Sequence, residues 1–153
     1  MKEQTFKRSV LLSRLKDIIL EKITLYEAQL NSLVQSRDNE TKSSVGDKFE
    51  TTRALLQSEI GKVKNQLAIV KNDLLLVKTI PQSNFTKTAD FGSIVITDQN
   101  TYFLSIGIGK LLFEENNVYC ISMQAPLSKS LIGKQEGETC TFNGKEYEII
   151  QIL

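Results

Sequence analysis

Apolar residues in the first half of the chain recur at the spacing of a helical seam. Leu56, Ile60, Val63, Leu67, Val70, Leu74 and Val77 follow one another at intervals of 4, 3, 4, 3, 4 and 3, the a/d pattern that one coiled-coil helix presents to another. Stepping further back reaches Arg53 and then Phe49, so the seam weakens toward its start. Upstream, Leu12, Leu15, Ile19, Tyr26, Leu30 and Leu33 lie on one stripe, with Ile23 near the skipped step. The segment between, Ser36 to Gly46, is polar, holds turn formers and has no apolar repeat. Two helices of similar length can bury such seams against each other, which predicts an antiparallel coiled-coil hairpin over 1–80 with its tip at about 37–50.

The pattern changes near Pro81, where proline ends a helix and restricts the residue before it. Ser93–Thr97, Tyr102–Ile106, Val118–Met123, Thr139–Phe142 and Tyr147–Ile152 are short runs rich in β-branched and aromatic residues. Asp-Gln-Asn, Glu-Asn-Asn, Gly-Lys and Asn-Gly-Lys turns bound them, and Asn143-Gly144 is a hairpin signal. Pro126–Gly133 reads as a short helix, with proline near its first turn and glycine just past its end. Residues 81–153 therefore predict a small domain built on an antiparallel sheet with one short helix, and the whole chain an α+β protein of two domains.

Charge divides along the same boundary. Residues 1–80 carry 14 Lys/Arg and 10 Asp/Glu and residues 81–153 carry 5 and 8, so a net charge of +1 joins a basic half to an acidic one. Lys2, Lys7, Arg8, Arg14 and Lys16 make the base of the hairpin positive, which suits nucleic-acid contact but is more often a solvated helix face. The chain has no histidine, which removes imidazole bases, Ser-His-Asp triads and His-ligated zinc or haem. Cys120 and Cys140 form no CxxC pair and sit in predicted strands, where a small buried thiol is the expectation, along with a reducing cytoplasmic setting. Arg14, Lys16 and Asp17 interrupt the N-terminal apolar patch, so neither a signal sequence nor a membrane span is expected. Ile106-Gly107-Ile108-Gly109-Lys110 lacks the spacing of a phosphate loop, and Leu111 stands where a magnesium-binding hydroxyl would be. A turn or bulge is the better reading there.

Candidate chemistry lies at the tip, where Asp38, Glu40, Asp47 and Glu50 fall within thirteen positions, balanced by Arg37, Lys42, Lys48 and Arg53. Asp47 and Glu50 stand i and i+3, on one face of a helix start. Two such carboxylates offer hard oxygen ligands to Mg²⁺, which takes one or two from a protein and fills its shell with water or a partner's groups. The metal could then activate water for attack on a phosphodiester. Acids in a first turn also cap the helix and favour its dipole, and spacing alone leaves both roles open.

The rod, the tip and the small domain together resemble the Gre family of bacterial transcript-cleavage factors, GreA and GreB. Phe91-Gly92-Ser93, Ile121-Ser122, Pro126 through Lys134, Gly137 and Tyr147-Glu148-Ile149 are similar in order and spacing to that family's C-terminal pattern, and Gly46-Asp47-Lys48-Phe49-Glu50 to its G-D-x-x-E tip. The resemblance covers nearly the whole chain. It implies an FKBP-like fold for 81–153 and RNA polymerase as partner, with the hairpin inserted in the secondary channel. It further implies a Mg²⁺ shared with the polymerase and held with the help of Asp47 and Glu50, next to nascent RNA, rather than a metal of the free protein. Pro126, Leu127 and Lys129 become the candidate docking residues of the second domain. The factor implied is a cytoplasmic monomer that stimulates cleavage by the polymerase and is not itself an enzyme. The sequence departs from the family at Thr51-Thr52-Arg53-Ala54, at Lys48 between the acids and at Ala125 before Pro126. These departures keep open a regulator that occupies the channel and inhibits. A prolyl isomerase built on the second domain is a third, weaker expectation, because 81–153 holds no tryptophan and few aromatics.

Overall fold

The computed structural model describes residues 8–40, 47–82 and 86–153, without the side chains of 47 and 48. Two long helices come first, α1 over Arg8–Glu40 with 33 residues and α2 over Asp47–Lys78 with 32, each roughly 50 Å long at the α-helical rise. The chain divides into two compact units, Lys16–Leu75 on the one hand and the chain up to Leu15 with Leu76–Leu153 on the other.

In the helical unit the pairing is antiparallel. Lys22 acts electrostatically on Asp73, Lys71 Nζ lies 3.5 Å from Glu27 Oε1, and Arg37 Nη1 donates to Gln57 Oε1 at 3.0 Å. As numbering rises along α1, the partner's number falls along α2. The a/d residues face inward as their spacing predicts: Ile19, Ile60, Val63, Leu67 and Val70 are buried, while Ile23, Tyr26, Leu30, Leu33, Leu56 and Leu74 are half-buried. Burial thus thins toward Glu40 on α1 and Asp47 on α2. Among the described residues, no helix is long and apolar enough to cross a membrane.

The second unit is built on six strands: β1 Ile94–Thr97, β2 Thr101–Ser105, β3 Gly109–Phe113, β4 Asn116–Ser122, β5 Thr139–Phe142 and β6 Lys145–Ile152. Their order is β3-β4-β2-β1-β6-β5. The sheet is mixed where an antiparallel one is expected from sequence, since β2 and β4 run parallel with Tyr102 opposite Tyr119. The cause is that β3 pairs with β4 in an antiparallel hairpin and β4 returns between β3 and β2. One face of the sheet packs Val95, Tyr102, Leu104, Tyr147, Ile149 and Ile152 into a core with Leu131 of the short helix α3, Pro126–Leu131. On the other face Ile94, Phe103, Val118 and Cys120 are buried, and so, in the same unit, are Leu11, Leu12, Leu15, Val77 and Ile80. In β6, Ile149 and Ile152 are three apart yet share the core, because the register with β1 shifts between Ile96 and Thr97, an extra residue that a bulge absorbs.

Two hairpins turn through paired left-handed residues. Asn143 and Gly144, at φ of 51° and 74°, close β5–β6 with the residue types such a turn favours. Glu114 and Glu115, at 46° and 66°, close β3–β4 without them. Left-handed backbone costs an ordinary L-residue roughly 1–2 kcal/mol. Glu115→Gly should therefore stabilise the protein by about 1 kcal/mol, read as a higher urea midpoint with an unchanged m-value.

Candidate functional site

The two ends of interest belong to separate units and are described separately. At one end of the helical unit, α1 is described to Glu40 and α2 from Asp47. Asp47 and Glu50 stand three apart within α2. Glu50 is exposed and Phe49 half-buried. Ser44, the glycine Gly46 and the balancing Lys42 lie outside the described residues. Glu40, the last residue of α1, is half-buried.

Arg37 differs from its expected role as a solvated counter-charge. Its side chain is 25% exposed and its Nε lies 3.3 Å from Asp38 Oδ1, while Nη1 reaches across to Gln57 on α2. It follows Leu30 and Leu33 at the seam spacing, so the position that would carry the next apolar knob carries a guanidinium with an amide acceptor on the facing helix. The 3-4 repeat marks this as a seam position, but Gln57 as its acceptor needs the register between the helices.

In the other unit, Ala125 stands at the start of α3 and makes no side-chain cap. Fully buried Ser128 fastens the helix instead, its Oγ donating to the Ser122 carbonyl at 2.6 Å. Gly133, at φ of 80°, follows the C-cap Ile132 and donates to the Ala89 carbonyl at 2.8 Å. Of the three candidate docking residues, Pro126 and Lys129 are exposed. Leu127 is half-buried against the core, so it packs as well as borders the surface. Tyr102 is buried edge-on against Tyr147, with ring centroids 6.4 Å apart.

Of the cations expected at the base of the hairpin, Lys2 and Lys7 lie outside the described residues and Arg14 is exposed, but Arg8 is not simply part of a solvated face. Burial lowers the pKa of Arg8, whose Nε donates to the Pro81 carbonyl at 2.9 Å and Nη1 to the Leu153 carbonyl at 3.4 Å. That guanidinium is committed within the protein. Asp73 is held above the usual carboxylate range by burial, partly offset by Lys22.

Both cysteines are buried and unpaired in any disulfide, as expected. Burial pushes the Cys120 thiol up to about 12, from 9.0. A raised native value means that its contribution to stability is complete below pH 9 and is lost as pH climbs from 9 to about 12, where the unfolded chain ionises first. At pH 8, native Cys120 should be alkylated at least about 100-fold more slowly than in denaturant, because labelling waits on opening; site-resolved mass spectrometry measures both rates. The Ile106–Lys110 segment is a connection into β3, with Gly109 at φ of 90°. Among the described residues, no three histidine, cysteine or acidic side chains converge on a possible metal site.

No protein-family model matches the chain, and no curated protein matches it. Among solved structures it is similar to the transcription factor Gfh1, at 13% identity and a TM-score of 0.38, with 90% of this chain and 92% of that one aligned.

Proposed function

We propose that this protein is a Gre-like transcription elongation factor that binds RNA polymerase, places its helical hairpin in the secondary channel and stimulates the polymerase's Mg²⁺-dependent cleavage of backtracked RNA. The observation that supports this most is the antiparallel pair of helices, 33 and 32 residues long, whose turn end carries two acids three apart inside a Gly46-Asp47-Lys48-Phe49-Glu50 run. A helix of that length reaches about 50 Å from its base, far enough to deliver a carboxylate into a deep site.

Asp47 and Glu50 suit a shared ion better than a resident one, since Mg²⁺ accepts one or two carboxylates and takes its remaining ligands from elsewhere. The metal, when bound with the polymerase's groups, would lower the pKa of a water for attack on the RNA backbone. The chain's own contribution is to bring and orient two oxygens, and the nascent RNA is cut by the polymerase. On this reading Pro126 and Lys129 of α3 meet the polymerase surface, with Leu127 backing them from the core.

Stalled, backtracked elongation complexes given this protein and Mg²⁺ should release short 3′ RNA fragments at a rate well above the factor-free control, and the protein should co-purify with core polymerase. Binding without release would favour the second reading, an inhibitor of the channel, which Lys48 between the acids supports by placing a cation where a metal is to bind. Elongation rate measured beside fragment yield separates the two. No association with the polymerase at micromolar concentration would end both.

A further inference from the structure

Toward the turn, the apolar seam runs out before the helices do. Ile60 is the α2 seam residue nearest the turn that is buried, and from there to Asp47 the seam offers half-buried Leu56 and Phe49 and exposed Arg53. On α1, Leu33 is followed at the seam spacing by Arg37 and Glu40. Over roughly the first 20 Å of α2, hydrophobic burial alone therefore does little to hold the two helices at a fixed separation.

Into this stretch Arg37 places a guanidinium, on a side chain 25% exposed overall, bonded to Asp38 on its own helix and to Gln57 on the facing one. Gln57 and Glu50 are seven residues apart, two helical turns, and so lie on the same stripe of α2 about 10 Å from each other. The cross-helix bond is thus two turns along α2 from the acid. We infer that Arg37 and Gln57 are positioning residues, a polar clasp that fixes the end of the hairpin and thereby the placement of Glu50. This rests on the proposed function for its catalytic consequence.

The Arg37–Gln57 bond is exposed to water, so it sits at the low end of the range for a charged donor and shifts a two-state equilibrium about 10-fold. Arg37→Ala and Gln57→Ala should each lower the maximal rate of factor-stimulated RNA cleavage by about that factor, while the factor concentration giving half-maximal effect changes less than about two-fold, since neither residue is in the proposed docking surface. The exchanged pair, Arg37→Gln with Gln57→Arg, should restore most of the rate. Free of polymerase, spin labels at exposed Asn39 and Ala54 should give one narrow distance in the parent and the exchanged pair and a broadened one in either alanine variant.

An unchanged maximal rate with an unchanged distance overturns the clasp and leaves the proposed function standing. A raised half-maximal concentration at full maximal rate makes Arg37 a docking residue and also overturns it. If Asp47→Ala with Glu50→Ala cleaves like the parent, the functional reading falls and the positioning role falls with it, whatever the labels report.

Discussion

Replacing Asp47 and Glu50 together by alanine is expected to lower factor-stimulated RNA cleavage by about 100-fold or more, while leaving the affinity for polymerase within about two-fold of the parent. The size follows from the chemistry assigned to them: disturbing even the outer contacts of a bound metal costs 10- to 100-fold in many sites, and these carboxylates are proposed as direct ligands. The same variant separates the two roles that their spacing leaves open. If the acids serve only to favour the start of α2, their loss removes a dipole interaction of about 0.3–1 kcal/mol each, which appears as a lower unfolding midpoint with cleavage intact. If they act at the polymerase, cleavage collapses and the midpoint moves little, as suits an exposed Glu50. Single variants refine this further. Both should be impaired if each oxygen is needed, and Glu50→Gln should be nearly as poor as Glu50→Ala, because the amide keeps the shape and loses the charge that holds a hard cation.

Local features of this protein are legible in its sequence, and non-local ones are not. The helical hairpin can be read from Leu56 through Val77 because a 3-4 repeat sustained over that span fits a helical seam and little else, and the structure buries Ile60, Val63, Leu67, Val70 and Val77 as that repeat requires. Strand β3 is not legible: its apolar run, Leu111-Leu112-Phe113, is only three residues long, and the inside–outside alternation of the strand is hidden in sequence because the 68% exposed position between buried Leu111 and Phe113 is a leucine. The parallel β2–β4 pairing is hidden for a different reason, since strand order is a non-local property that short runs and turns do not encode. At the tip, Asp47 and Glu50 stand out by spacing, yet metal binding and capping call for the same residue types, and no pattern separates them. The Arg37–Gln57 bond is invisible in sequence because its acceptor depends on the register of one helix against the other; by itself the arginine looks like a surface charge. Arg8 misleads in the same way, as a basic helix residue that in fact satisfies the carbonyls of Pro81 and Leu153.

Gly92→Ala should destabilise the protein by about 2–4 kcal/mol. Two costs combine. Gly92 sits at φ of 87°, where an L-residue pays on the order of 1–3 kcal/mol in backbone strain. An added Cβ would also meet Ile80 Cγ2 and Arg8 Nη2, each at 3.1 Å, closer than carbon packing allows without movement. Neither neighbour can yield freely: Ile80 is 5% exposed, and Arg8 is tied to two backbone carbonyls. The backbone cannot shift easily either, because the Gly92 amide donates to the Leu104 carbonyl at 2.6 Å. Glycine between Phe91 and Ser93 is thus required where the ends of the long helices meet β1 and β2 within their unit. Gly107→Ala is the control, since its Cβ would meet only Ser122 Cβ at 3.8 Å and Gly107 is not among the positive-φ glycines; it should cost less than about 1 kcal/mol. Urea unfolding of both variants decides the matter, and a Gly92→Ala midpoint matching that of Gly107→Ala would show that neither the strain nor the contact with Ile80 is present in solution.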